Sequence, residues 1–257
     1  MSGLGFTVAV SGKGGVGKTM LSTLMIRYFA RKGSVLAIDA DPDSNLPWSL
    51  GVPVKTDVGH ARESIAQAPA RSQVAADKAG AFEAALHQIV HEADDFDIVV
   101  MGRSEGAGCY CAINHILRDV IDSRASSYDY TVIDTEAGLE HLSRRTTRDV
   151  DVMVVVTEPT LNGILTAKRV HELARELDIG FGRVFVVANK VTPETKPLGE
   201  KLAHEHGLKI DFFIPYDPAV GMQDALGKPM YLLPEDSPAS MAVKEFCDIV
   251  QNTVFSS

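Results

Sequence analysis

With 257 residues, a net charge of −9 and a pI near 5.3, the chain can bury a full core as one α/β domain. It lacks the overall basic balance on which nonspecific nucleic-acid binding rests. Its longest apolar runs, such as Val152 to Val156 and Val184 to Ala188, have strand length and fall far below the roughly 20 residues of a membrane span. Three cysteines fit a reducing compartment better than a disulfide framework. A first strand close behind the N-terminus leaves no room for a signal peptide. The expected setting is cytoplasmic, with neither nucleic acid nor membrane as a partner.

Gly5 to Val10 reads as a buried strand and Met20 to Arg31 as a helix. Between them, Ser11-Gly12-Lys13-Gly14-Gly15-Val16-Gly17-Lys18-Thr19 fits the pattern G-x-x-x-x-G-K-[ST]. Its glycines let successive N–H groups turn around a β-phosphate, Lys18 can reach the β/γ oxygens, and Thr19 offers a hydroxyl to Mg²⁺. The helix that follows points its dipole at the phosphates. Gly12, Gly14 and Gly17 also satisfy G-x-G-x-x-G, but Lys18-Thr19 argues against a dinucleotide fold. Nucleotide contacts are expected from Gly12, Lys13, Gly14, Gly15, Val16, Gly17, Lys18, Thr19 and Met20.

Further strands are expected at Ser34 to Asp39, Asp97 to Met101, Tyr130 to Asp134, Val152 to Val156, Val184 to Ala188 and Lys209 to Ile214, after a first at Thr7 to Val10. Their alternation with helical runs predicts a mostly parallel central sheet with helices on both faces, and ligands beyond the carboxyl ends of the strands. Residues 60 to 96 are Ala-rich, broken by Pro69 and Gly80, and read as a helical insertion. No linker marks a boundary, so a single domain spans 1–257. Ala239 to Val254 reads as a C-terminal helix in which Cys247 is a buried thiol.

Asp39-Ala40-Asp41-Pro42-Asp43 places three acids on alternate positions at a strand end. They could serve Mg²⁺ and an attacking water, or form a solvated acidic turn. Asp134 ends a strand and Gly138 follows four residues later, giving D-x-x-x-G, a motif that gains weight only from its place after a strand. Asn189-Lys190 and Pro215-Tyr216-Asp217 close the last two strands, where they could meet a base or simply cap turns. Cys109 and Cys111 sit two apart on a glycine-flanked stretch. Two thiolates do not complete a tetrahedral site, but a twofold axis would supply the other two; inert buried cysteines are the alternative. His87 and His91, four apart, are read as a solvated helix face, and His115 as an ordinary helix histidine.

Lys13 resembles the signature lysine of the deviant Walker A family, K-G-G-V-G-K-[ST], which includes MinD and ParA partitioning ATPases, nitrogenase iron protein and metallochaperone ATPases. The resemblance implies a P-loop NTPase fold and an ATP-dependent homodimer in which Lys13 reaches the partner's nucleotide. It makes Lys13, Lys18 and Asp41 catalytic, with Asp41 orienting water. Thr19, Asp39 and Asp134 then serve magnesium, the Gly138 N–H senses the γ-phosphate, and Asn189, Lys190, Pro215 and Asp217 stand on the base side. Gly-Cys109-Tyr-Cys111-Ala-Ile-Asn114, Asp134-Thr-Glu-Ala-Gly-Leu-Glu-His-Leu and Glu158-Pro-Thr-Leu-Asn162 narrow the likeness to the CooC-type maturation ATPases. Met20 departs from the family's usual Thr or Ser. That resemblance implies Ni²⁺, or Zn²⁺ as isolated, at Cys109 and Cys111, and carbon monoxide dehydrogenase as client. A partitioning switch and an iron–sulfur electron-transfer ATPase are the alternatives. A membrane-binding tail is disfavoured by one lysine against two acids in Met241 to Val250.

Overall fold

The first strand, β1 (Phe6–Gly12), is buried along its whole length. Its side chains alternate between two apolar clusters, Phe6, Val8 and Val10 in one and Ala9 in the other, as the period of two requires. The computed structural model describes residues 5–59, 89–102, 124–136, 150–176 and 181–255. Next in the chain come β2 (Val35–Ala40), β3 (Val90–Glu92), β4 (Asp97–Val100), β5 (Tyr130–Thr135), β6 (Val150–Thr157), β7 (Phe181–Val191) and β8 (Phe212–Pro215). Together they form one eight-stranded sheet, ordered β3-β4-β2-β5-β1-β6-β7-β8. Every pairing is parallel except that of β3 with β4 at the edge.

The described helices are α1 (Lys18–Ala30), α2 (Leu46–Leu50), α3 (Leu161–Glu176), α4 (Thr195–Glu205), α5 (Pro218–Ala225) and α6 (Pro238–Phe255). Leu21, Met25 and Phe29 of α1 and Val243, Phe246, Cys247 and Val250 of α6 enter the same cluster as Val8 and Val10, each set at helical spacing. Ile164, Ala167, Val170 and Ala174 of α3 cover the opposite face with Ala203 of α4. The mostly parallel sheet with helices on both faces is thus as expected. Phe29 stacks on Tyr130 with ring centroids 4.6 Å apart. Phe246 sits 5.6 Å from Phe185 and 5.3 Å from Phe212, tying α6 to β7 and β8. Cys247 is fully buried, and burial pushes its thiol up, as befits an inert packing residue.

One expectation is corrected. The helical reading of residues 60 to 96 fails at its end, because Val90–Glu92 is an edge strand antiparallel to β4. His91 therefore lies on a strand, with Nε2 2.6 Å from the Thr56 carbonyl, and not on a helix face shared with His87. Residues 60–88, and with them His87, lie outside the described residues. No described helix is long and apolar enough to cross a membrane.

Truncating Phe246 to Ala leaves a cavity between α6 and two strands that cannot collapse freely. The unfolding free energy should drop by about 3–5 kcal/mol, read as a lower urea midpoint at unchanged slope.

Candidate functional site

The carboxyl ends of neighbouring strands converge on one place. β1 runs into the loop 12–17, β2 and β5 bring Asp39 and Asp134 side by side in register, and β7 and β8 deliver Asn189, Lys190 and Asp217. The loop is held by close approach. Gly12 has φ 149°, and a Cβ there would lie 2.2 Å from the Val156 carbonyl oxygen of β6. Gly17, at φ 95°, opens α1, and a Cβ there would lie 2.3 Å from Asn189 Nδ2. Any side chain at either position would displace a neighbouring strand or its amide.

Lys18 is 8% exposed, and its described hydrogen-bond acceptor is the Lys13 carbonyl at 3.5 Å. A nearly buried ammonium with so long a contact has capacity for an anion, and the loop ending on a helix N-terminus adds to it. Lys13 itself is exposed.

Beneath the loop, Asp134 accepts from Ser22 Oγ at 3.0 Å and is hydrogen-bonded to Thr19. Burial pushes its carboxyl up to about 6, against Thr19, Ser22 and the Lys18 charge, which hold it down. Burial, and then the adjacent Asp134, push Asp39 well above the usual carboxylate range, against the N–H groups of Asp41 and Leu46. Those two donors lie 3.1 and 3.0 Å from the Asp39 oxygens. They fold residues 39–46 into a turn that presents Asp41 to the cavity. Two buried acids with raised affinity for protons, beside a threonine hydroxyl, are a donor set of hard oxygens that fits a divalent cation.

Above lies a cavity of about 550 Å³. It brings together Gly14, Gly15, Gly17, Lys18, Thr19, Met20 and Asp41 with Asn189, Lys190, Pro215 and Asp217. Gly12, Val16, Asp39 and Asp134 support it from below. Asn189 donates from Nδ2 to the Val16 carbonyl at 2.9 Å, and its Oδ1 accepts from the Lys190 N–H at 2.8 Å. The Asp217 oxygens accept from Ala219 N at 2.9 Å and Ala239 N at 3.0 Å; this carboxylate caps α5 and pins the start of α6. Gly138, Cys109, Cys111 and His115 lie outside the described residues. Among the described residues no three His, Cys, Asp or Glu side chains stand close enough to share a metal ion.

The sequence reading missed Trp48, the chain's sole tryptophan, which is 50% exposed on the cavity wall. Its place on α2, just after the acidic turn, was the available signal. Glu158, which has no assigned role in the sequence pattern, pairs with Lys190 at 2.6 Å.

Residues 7–230 match the CobQ/CobB/MinD/ParA nucleotide binding domain family. The chain belongs to this family. An ATP-binding protein of Methanocaldococcus jannaschii is 45% identical over 251 residues, covering 96% of this chain and 99% of the relative. The carbon monoxide dehydrogenase accessory protein CooC of Rhodospirillum rubrum is 31% identical over 246 residues, covering 87% and 89%. The septum site-determining protein MinD of Pyrococcus horikoshii, solved with Mg-ADP, superposes with TM-score 0.67 at 18% identity over 97% of each chain, a likeness of fold. The protein is thus an ATPase of the MinD/ParA type, with a CooC relative.

The raised Asp134 carboxyl has a consequence for stability in the ATPase without nucleotide. The folded state holds its proton up to about pH 6, whereas the unfolded chain releases it near 4. Asp134 therefore contributes stability at low pH that is lost as pH rises through this window. Asp134→Asn should flatten that fall in urea unfolding between pH 4 and 7. An unchanged profile would mean that Asp134 is charged throughout.

Proposed function

We propose that the chain is a Mg-ATP-dependent homodimeric metallochaperone ATPase. It binds Ni²⁺ through Cys109 and Cys111 of two subunits and assists nickel insertion into the active-site cluster of carbon monoxide dehydrogenase. The observation that carries this reading is the Cys-x-Cys pair following β4 in an ATPase that is 31% identical to a carbon monoxide dehydrogenase accessory protein along 89% of its length.

In this reading the loop N–H groups from Gly12 to Met20 cradle the phosphates, and Lys18 leaves the Lys13 carbonyl for the β/γ oxygens. Asn189, Pro215 and Asp217 bound the base side, with Lys190 at its edge on the Gly15 carbonyl. Thr19 and Asp134 would hold Mg²⁺, with Asp39 behind them, and the ion would supply neutralisation of the phosphate oxygens. Asp41, presented by the Asp39 turn, orients a water whose oxygen bonds to the γ-phosphorus. The bond from that phosphorus to the bridging oxygen breaks, giving ADP and phosphate, and the water's proton ends on the phosphate. Exposed Lys13 reaches the partner's nucleotide and the Gly138 N–H senses the γ-phosphate, so that hydrolysis reshapes the dimer. Four thiolates across the twofold axis then form or lose a tetrahedral set for the nickel cargo, and Zn²⁺ competes for it by availability.

A partitioning switch held at a membrane by its last helix is disfavoured. Val243, Phe246, Cys247 and Val250 of α6 face the core, and on its exposed side Met241 and Ile249 stand among Lys244, Glu245 and Asp248, a poor match to the continuous apolar stripe a bilayer takes.

Anaerobically reduced wild-type protein should bind one tight Ni²⁺ per dimer, and Cys109→Ala/Cys111→Ala none, in equilibrium dialysis with mass measured in solution with and without ATP. ATP-dependent dimers without cysteine-dependent nickel would contradict the metallochaperone reading. Asp41→Ala should retain ATP with turnover down at least about 10²-fold, and Lys18→Ala should lose nucleotide affinity. Unchanged phosphate release by the Asp41 variant would remove that residue from the reaction.

A further inference from the structure

We propose that Lys190 and Glu158 form a latch that holds the tip of the phosphate loop in its binding shape. Lys190 is then a positioning residue that acts through the Gly15 carbonyl and does not itself grip the nucleotide. This rests on the ATPase reading of the cavity.

Three observations point to it. β7 breaks register with β8 between Ala188 and Val191, and within that irregularity Lys190 takes φ 58°. A left-handed conformation at a residue other than glycine persists only when its surroundings require it, and such strain gathers at working sites. The turn aims two consecutive side chains at two consecutive loop carbonyls, Asn189 Nδ2 at Val16 and Lys190 Nζ at Gly15, at 2.9 and 2.7 Å. Lys190 Nζ is also 2.6 Å from Glu158 Oε1.

Second, the Gly15 carbonyl has little else to direct it. Gly15 is exposed with φ 82°, and a Cβ built there would meet nothing within 4 Å. Gly12 and Gly17 are wedged by packing, whereas the tip between them is tied by an ammonium. Third, Glu158 is itself held in place. Its carbonyl accepts from the Thr160 N–H at 2.7 Å and from Thr157 Oγ1 at 3.2 Å, and a Cβ on Gly163 would lie 2.6 Å from that oxygen. The ends of β6 and β7 therefore brace the loop that leaves β1, the strand beside β6.

Lys190 is 47% and Glu158 31% exposed. An ion pair so open to water adds little to folding, so strain and pairing at this position point to loop order. A loop ordered before the nucleotide arrives spares the complex the entropy of ordering it. The latch therefore acts on binding and leaves the chemical step alone.

The test uses the full chain and measures Mg-ADP affinity by calorimetry, KM and kcat for ATP, and thermal unfolding without nucleotide. Lys190→Met and the isosteric Glu158→Gln should each weaken Mg-ADP and raise KM about tenfold, with kcat unchanged. The double variant should be no worse than either single one, because the pair acts as a unit. Lys190→Arg should restore most of the affinity, and every variant should unfold at the wild-type temperature. Loss of affinity in Lys190→Met with none in Glu158→Gln would overturn the latch in favour of direct contact with the nucleotide, and wild-type affinity in both would overturn it outright. A wild-type protein that fails to bind Mg-ADP would remove the ATPase reading, and the latch with it.

Discussion

The loop 12–17 has four glycines in six residues and only one side chain in the core, that of Val16, and this constraint governs the architecture. The rest of its support comes from outside. β6 presses on Gly12 through the Val156 carbonyl, and β7 presses on Gly17 through the Asn189 amide. Both contacts exist because β1 lies at the centre of the sheet, with β6 and then β7 on one flank. The side chains that fill the two faces of those strands, Val152 and Val154 on one and Met153 and Val155 on the other, set the spacing on which the loop depends. Packing far from the cavity thus fixes the shape of the loop that lines it.

The same centre gathers charge that a core ordinarily excludes. Lys18, Asp39 and Asp134 are all buried, and the two carboxylates face each other across one strand register. Hydrogen bonds from Ser22, Thr19, Asp41 and Leu46 offset part of the cost, yet both acids stay shifted towards their neutral forms. A site that is electrostatically incomplete without its ligands gains more from an incoming cation and polyphosphate than a neutral pocket could. Binding and relief of the unfavourable charge arrangement are then the same event.

The glycine loop between β1 and α1 and the positions of most strands were legible in the sequence because their signals are local. Glycines at fixed offsets, a lysine and threonine at a helix start, and apolar runs of strand length need no knowledge of distant partners. β3 was hidden because three residues on an edge carry no periodicity, and the Ala-rich stretch before it favours a helix. Asp217 and Asn189 show a different limit. Their residue types suit a base pocket equally well, and only the structure reveals that backbone N–H groups of two helices occupy one and the loop carbonyl the other. Trp48 is hidden for a third reason, since a lone aromatic on a short helix carries no local signal that sets it at a cavity. Its half-exposed ring lines the cavity because Ser49 is turned inward to Thr23, at 2.7 Å.

These contacts imply a loop that is shaped before any nucleotide arrives. Crystal structures of the protein alone and with Mg-ADP test it most directly. The backbone from Gly12 to Thr19 should superpose within about 1 Å. The Asn189 amide should remain on the Val16 carbonyl while the Lys18 ammonium moves from the Lys13 carbonyl to phosphate. A loop that refolds around the nucleotide, with Asn189 turned away from Val16, would contradict it.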